Sequence, residues 1–88
     1  MQLAHRIVLA PLTRYRADIA HVPTDIMAEY YAQRASVSGT LLITEATFIA
    51  AKAGGYEQVP GIWSDAQVEG WKKVCTVLAH ILYSLTCA

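Results

Sequence analysis

The chain has 88 residues, so it forms at most one small domain. Of these residues, 55% are hydrophobic and 16% are charged, which is unusually apolar for a small domain with a large surface relative to its volume. Its seven basic and seven acidic residues cancel, which excludes the positive surface typical of nucleic-acid-binding proteins. The late apolar run at residues 77–85 is far shorter than the roughly 20 residues of a membrane span, so a membrane partner is not expected either. Because the first residues do not form a signal peptide, we expect a cytoplasmic protein.

The first predicted element is a strand at residues 7–10, Ile-Val-Leu-Ala, which ends at Pro11. A contiguous, partly β-branched run predicts a strand buried on both faces, and proline has no N–H with which to extend a ladder. Thr13 and Arg14 therefore follow the carboxyl end of this strand. Ligands bind at that end in parallel α/β sheets, although an ordinary strand exit gives the same pattern.

A helix is predicted next, with Thr24 as its capping residue and Asp25 in its first turn. Apolar side chains then recur at helical spacing, and we expect the helix to end within residues 36–39. Residues 40–46, TLLITEA, form a second β-rich run. Strand, helix and strand at this interval predict a right-handed βαβ unit with parallel strands.

Residues 50–63 contain glycine and proline without a periodic pattern, which predicts a long loop that is either functional or a mobile surface excursion. Ser64 and Gln67 have the spacing of a capping box and predict the start of a second helix. Residues 81–85 are compatible with a third strand. Because two or three strands cannot close a barrel, we expect unpaired sheet edges and one bare sheet face.

No metal site is predicted. Cys75 and Cys87 are twelve residues apart and form no Cys-x-x-Cys motif, and no histidine lies at ligand spacing from them. We expect His5, His21 and His80 to be surface or packing residues.

Four segments together resemble the N-terminal portion of Old Yellow Enzyme-type flavin oxidoreductases, the family that includes 12-oxophytodienoate reductases and fungal ene-reductases. They are RIVLAPLTRYRA at 6–17, EYYAQRAS at 29–36, LLITEATFIA at 41–50 and AGGYEQVPGIWSDAQVEGWKKV at 53–74. The family's fold is an eight-stranded (β/α)8 TIM barrel. The resemblance therefore implies that residues 1–88 are the N-terminal part of one FMN-binding α/β domain, a TIM barrel. They would contain its first two β/α units, and residues 81–85 are the candidate for its third strand.

The resemblance also implies a non-covalent FMN site at the strand ends. It places Pro11, Leu12 and Thr13 against the flavin, with the Thr13 hydroxyl near the reactive edge of the ring. Ala46 matches a position whose backbone approaches the ring, which suits a small side chain. Tyr56 matches a residue on the substrate side, and the alternative is a loop aromatic that packs on the barrel rim.

The implied reaction oxidises NAD(P)H through FMN and reduces a small-molecule enone or enal. The family's tyrosine proton donor, its substrate-binding His/Asn pair and its phosphate site match no segment of this sequence, so no residue is assigned a catalytic role. We therefore expect an inactive fragment. The alternative is a non-catalytic β/α module that associates with a full-length homologue. Glu45 is expected to form a structural ion pair, and Trp63 and Trp71 are expected to be packing residues.

Overall fold

A computed structural model describes residues 2–81 of the chain. The elements, in chain order, are β1 (Val8–Leu9), α1 (Asp25–Arg34), β2 (Leu41–Leu42), a 3₁₀ turn (Ala51–Ala53) and α2 (Asp65–Ile81). β1 and β2 pair in parallel, with Val8 opposite Leu41 and Leu9 opposite Leu42. This confirms the strand–helix–strand order and the parallel strands, but each strand has only two residues and is shorter than predicted. The described residues form a partial α/β unit rather than a closed barrel.

The core lies between the strands and the two helices. Its buried members share small or apolar side chains and are Ala17, Met27, Ala28, Tyr31, Ala35, Val74 and Leu78. Leu9 of β1 and Leu42 of β2 are half-buried and pack against this cluster. The strand pair therefore has one face that contacts helices.

The prediction that the first strand is buried on both faces is wrong for the described residues. Val8 of β1 and Ile43, directly after β2, are exposed, whereas Leu9 and Leu42, which alternate with them, pack against the core. The reason is that both helices pack on the same side of β1 and β2, so the opposite face is left open. Apolar side chains on that face lie in solvent.

α1 begins where the sequence predicts, but its cap differs from the prediction. Thr24 is the N-cap residue and has an extended backbone, yet its side chain makes no capping hydrogen bond. Instead, the Thr24 hydroxyl donates to the carbonyl oxygen of Arg16 at 2.6 Å. The helix also ends at Arg34, earlier than expected, because Ala35 leaves helical backbone geometry. Thr24 thus joins the start of α1 to the segment that follows β1.

The capping box at the start of α2 is confirmed. The Gln67 N–H donates to the Ser64 hydroxyl at 3.3 Å, and the Ser64 N–H donates to Gln67 Oε1 at 3.1 Å. Trp71 is a packing residue as predicted, and its Nε1–H donates to the Gly61 carbonyl oxygen at 3.1 Å.

Among residues 2–81, no helix is long and apolar enough to cross a membrane. α2 includes Ile81, so a third strand does not begin at residue 81, and the rest of that predicted strand, residues 82–85, lies outside the described residues.

The segment at residues 50–63 is more regular than the sequence predicts. It begins with the 3₁₀ turn and returns beside Phe48, with which Gly61 forms a parallel bridge. The Phe48 N–H donates to the Pro60 carbonyl oxygen at 3.0 Å, and the Gly61 N–H donates to the His21 carbonyl oxygen at 2.8 Å. These bonds pair the returning segment with two other parts of the chain, which sequence periodicity cannot show.

Gly70 lies where α2 crosses Pro23, and we expect Gly70→Ala to destabilise the chain. A Cβ at this position would lie 2.8 Å from Pro23 Cδ and 3.0 Å from the Pro23 carbonyl oxygen. Alanine improves helix propensity by about 1 kcal/mol, but overpacking against backbone costs about 1 to 3 kcal/mol. The expected net loss in the free energy of unfolding is about 1 kcal/mol in urea. The difference between Lys72→Gly and Lys72→Ala, at an exposed interior position of α2, measures the propensity term alone, and a stabilised Gly70→Ala variant would contradict this packing.

Candidate functional site

The two parallel strands bring the predicted flavin-facing segments to one edge of the sheet. Leu9 and Leu42 are the last paired residues, and Thr13 and Ala46 each lie four residues beyond them. The Arg14 N–H donates to Glu45 Oε2 at 3.3 Å, which joins the two segments beyond the ladder. This edge lies at the carboxyl end of both strands, as the sequence predicted. We call the surface formed by residues 11–13 and Ala46 the strand-end edge.

The surface of this edge combines apolar side chains with one hydroxyl group. Pro11 and Ala46 are exposed, Leu12 is 50% exposed, and Thr13 is half-buried. Within the part of the chain that the structure describes, the Thr13 hydroxyl has no hydrogen-bond partner. The edge therefore offers apolar contact, a small residue and one spare hydroxyl, a donor set suited to a flavin.

Glu45 does not form the predicted ion pair with any described residue. Its side chain is only 3% exposed, and Oε1 accepts a hydrogen bond from the Tyr31 hydroxyl at 3.1 Å. The Glu45 N–H donates to the same hydroxyl oxygen, also at 3.1 Å. Burial of a carboxylate is tolerated here because hydrogen-bond donors replace a cation.

Tyr31 is a site residue that sequence reasoning missed. Helical spacing predicts it only as an inward residue of α1, and nothing in the sequence pairs it with Glu45, fourteen residues later. Burial raises the pKa of the Tyr31 hydroxyl well above its ordinary value, and the Glu45 charge acts in the same direction, whereas the Glu45 N–H acts against it. The hydroxyl is therefore a neutral group that holds its proton between α1 and the strand-end edge.

Tyr56 lies at the rim of the edge and is mostly open. Its ring is 66% exposed and meets the Tyr15 ring edge to face, with centroids 6.4 Å apart and planes at 73°. Tyr15 follows Thr13 by two residues and has a left-handed backbone with φ of 56°. Both interpretations of Tyr56, a substrate-side residue and a rim aromatic, fit this position, so its substrate role stays a prediction.

His21 is a packing residue, as predicted, and both histidines whose side chains the structure describes also make hydrogen-bond contacts. His21 Nδ1 lies 2.6 Å from the Val59 carbonyl oxygen, and its ring contacts the rings of Phe48 and Trp63. His5 Nε2 lies 2.9 Å from Thr40 Oγ1. The side chain of His80 lies outside the described part of the chain. Over residues 2–81, no group of three or more His, Cys, Asp or Glu side chains could hold a metal ion.

Among residues 2–81, two surface depressions involve other residues, although the second one reaches Tyr56 at the rim of the edge. A groove of about 880 Å³ runs between α1 and α2 and is lined by Ala28, Ala32 and Val77 with charged residues around them. A smaller depression of about 250 Å³ is lined by His21, Tyr56 and neighbouring loop residues. None of the four predicted flavin-facing residues lines either of them.

The sequence signature of the NADH:flavin oxidoreductase / NADH oxidase family matches residues 1–79. A chanoclavine-I aldehyde reductase of Penicillium roqueforti is 66% identical over 74 residues, which are 84% of this chain and 20% of that protein. A protein of Epichloe festucae var. lolii named as a probable inactive reductase is 56% identical over 72 residues, 82% of this chain and 19% of that protein. The chain thus spans about a fifth of the length of these curated relatives.

The fold comparison agrees with the sequence comparison. The crystal structure of Old Yellow Enzyme from Pichia sp. AKU4542 superposes with a TM-score of 0.85 and 47% identity, covering 90% of this chain and 20% of that one. The described α/β unit therefore corresponds to an N-terminal portion of an Old Yellow Enzyme-type fold.

Proposed function

Because the chain belongs to the NADH:flavin oxidoreductase / NADH oxidase family, we propose that its strand-end edge is one wall of a non-covalent FMN site in a NAD(P)H-dependent oxidoreductase. The observation that carries this proposal is the placement of Thr13 and Ala46 at equivalent positions past two paired parallel strands. Such an edge is where barrels of this kind hold their ligands. In this proposal, residues 1–88 belong to a single FMN-binding TIM-barrel domain of a cytoplasmic enzyme.

Each predicted residue has a simple role at this wall. Pro11, Leu12 and Ala46 give apolar contact and exclude water from one face of the ring. The half-buried Thr13 hydroxyl would hydrogen-bond to a polar atom of bound FMN and so tune its affinity for electrons. When bound, FMN would carry the redox chemistry that links NAD(P)H oxidation to substrate reduction.

The proposed substrate is a small-molecule enone or enal, with Tyr56 on its side of the site. Support comes from the name of the Penicillium roqueforti relative, an aldehyde reductase. The exposed Tyr56 ring offers an apolar face and a hydroxyl to a small conjugated carbonyl compound.

The chain by itself is proposed to be catalytically inactive. A binding pocket ordinarily covers about 70 to 90% of its ligand, whereas a single wall leaves the other face of the ring in water. Half-exposed Leu12 and exposed Ala46 show how open this wall is among the described residues. The Epichloe festucae relative, named as a probable inactive reductase, is compatible with a chain that retains this segment without activity.

An FMN titration followed by flavin fluorescence, together with an NADPH oxidation assay, tests this proposal. We expect weak, saturable binding by the 88-residue chain without NADPH oxidation. Thr13→Val, which removes the hydroxyl but keeps the shape, should weaken binding by a few-fold to about tenfold. Thr76→Val on α2 is the matched control and should bind as the wild type does. Micromolar binding with turnover would contradict the inactive chain, and equal binding by Thr13→Val would contradict the role of Thr13.

A second candidate is a non-catalytic β/α module that associates with a full-length homologue. The open sheet face favours it, because Val8 and Ile43 are exposed on that face. Both outer edges of the strand pair are also unpaired among the described residues. Size-exclusion chromatography and co-purification with a full-length family member test it, and a monomer that captures no such partner argues against it.

A further inference from the structure

We propose that Glu45, oriented by Tyr31, is a positioning residue that sets the spacing between Thr13 and Ala46 across the strand-end edge. The inference rests on the proposed function, since this spacing matters for activity when both segments contact one ligand. Its structural part, a link from α1 through Glu45 to Arg14, can be tested without any ligand.

The link is needed because the sheet ladder stops before the site. The last backbone hydrogen bond between the two segments is from the Ile43 N–H to the Leu9 carbonyl oxygen, at 3.0 Å. Within residues 2–81, the next backbone hydrogen bonds of these two segments go to the loop at residues 50–63. The Ala17 N–H donates to the Gln58 carbonyl oxygen, and the Phe48 N–H donates to the Pro60 carbonyl oxygen. Between these limits, the hydrogen bond from the Arg14 N–H to Glu45 Oε2 bridges the gap.

Tyr31 fixes the orientation of Glu45 through a single hydroxyl. The hydroxyl donates to Glu45 Oε1 and accepts from the Glu45 N–H, so it holds both the side chain and the backbone of that residue. Tyr31 and Glu45 are both almost fully buried, which strengthens these bonds relative to bonds in water. Because Ala46 directly follows Glu45, its backbone is fixed by the same contact.

Glu45 acts through other residues rather than on a substrate. Its two carboxylate oxygens are engaged by Tyr31 and Arg14, and its side chain is almost inaccessible to solvent. General acid or base work would require a carboxylate that reaches the reacting atoms. Its role is to hold Arg14, and thereby Thr13, opposite Ala46.

Amide hydrogen exchange of the ¹⁵N-labelled chain tests the link directly. In Glu45→Leu, we expect the Arg14 amide to exchange roughly tenfold to hundredfold faster, since it loses a bond to a buried carboxylate. Glu45→Gln should restore part of the protection, because its amide oxygen can face Arg14. Glu29→Leu, an exposed carboxylate on α1, is the control and should leave the Arg14 amide unchanged. The amides of Val74 and Leu78 report whether the core remains folded.

An FMN titration of the same samples adds a ligand-dependent signature. In the wild-type chain, the amide shifts of Thr13 and Ala46 should move together. In Glu45→Leu both shifts should shrink, and in Glu45→Gln both should partly recover. A merely structural role for Glu45 would not predict this paired recovery in a variant whose core is intact.

The outcomes separate the inference from the function on which it rests. Arg14 exchange that is unchanged in Glu45→Leu overturns the positioning role. If Glu45→Leu unfolds, Tyr31→Phe replaces it, and Arg14 exchange that is unchanged in this folded variant likewise overturns the role. If the wild-type chain shows no FMN shifts while Glu45→Leu still exposes Arg14, the FMN proposal fails and the structural link stands.

Discussion

Replacement of Gln67 by alanine is expected to lower the free energy of unfolding by about 3 to 5 kcal/mol. The side chain is 1% exposed, and its Oε1 accepts hydrogen bonds from the N–H groups of Trp63 and Ser64 at 2.9 and 3.1 Å. Its Nε2 donates to the Ala20 carbonyl oxygen at 3.1 Å. Alanine removes all three bonds, leaves backbone groups unsatisfied and opens a cavity. The loss is a large part of the roughly 5 kcal/mol expected for so small a domain.

Urea unfolding followed by circular dichroism measures this effect. The matched control is Gln33→Ala, because Gln33 is exposed on α1 and, among residues 2–81, its side chain bonds only to the side chains of Glu29 and Arg34. Its expected change is within about 0.5 kcal/mol. A Gln67→Ala variant that stays within about 1 kcal/mol of the wild type would show that Gln67 does not join α2 to the loop before α1.

Alkaline pH is expected to destabilise the chain through Tyr31. Burial raises the pKa of the Tyr31 hydroxyl above its ordinary value, so the folded state keeps a proton that the unfolded state loses. The stabilisation by the neutral phenol is therefore complete below pH about 10 and is lost as the pH rises above that value. One retained proton gives a slope of about 1.4 kcal/mol per pH unit above pH about 10.

Urea unfolding at a series of pH values from neutral to alkaline measures that slope. Tyr31→Phe cannot ionise, so we expect its stability to be lower at neutral pH but to fall less steeply above pH about 10. Tyr56→Phe removes an exposed phenol and should keep the wild-type slope. Equal slopes in the wild type and Tyr31→Phe would show that Tyr31 ionises as readily in the folded chain as in the unfolded one.

Local signals predicted the elements whose stabilising contacts are close in sequence. The Ser64 and Gln67 capping box is confirmed because both partners lie within one turn of α2. The parallel strands are confirmed because two apolar runs joined by a helix have few other arrangements. Thr24 is the N-cap residue as predicted, but its side chain and the strand faces differ from the expectation because of distant partners. The Thr24 hydroxyl bonds to the Arg16 carbonyl oxygen rather than to its own helix, and within residues 2–81 the strands have helices on one side only.

The arrangement of the strand-end edge was predicted from the sequence, whereas the hydrogen bonds beside it were not, and the ligand-binding roles of Thr13 and Ala46 stay predictions. Thr13 and Ala46 follow apolar runs that end at one edge, which a parallel arrangement brings together. The hydrogen bonds among Tyr31, Glu45 and Arg14 depend on the depth at which α1 packs against the strands, which no sequence pattern shows. For the same reason, Glu45 was predicted to need a cation, whereas hydrogen-bond donors satisfy it in the structure.

A residue-resolved FMN titration of the wild-type chain tests the central claim most directly. The strand-end edge, rather than another surface of the chain, is expected to face the flavin. In ¹⁵N–¹H correlation spectra, we predict saturable shifts centred on Leu12, Thr13 and Ala46, with little change along the groove between α1 and α2. Shifts centred on that groove, at Ala28, Ala32 and Val77, or the absence of any saturable shift, would contradict the account.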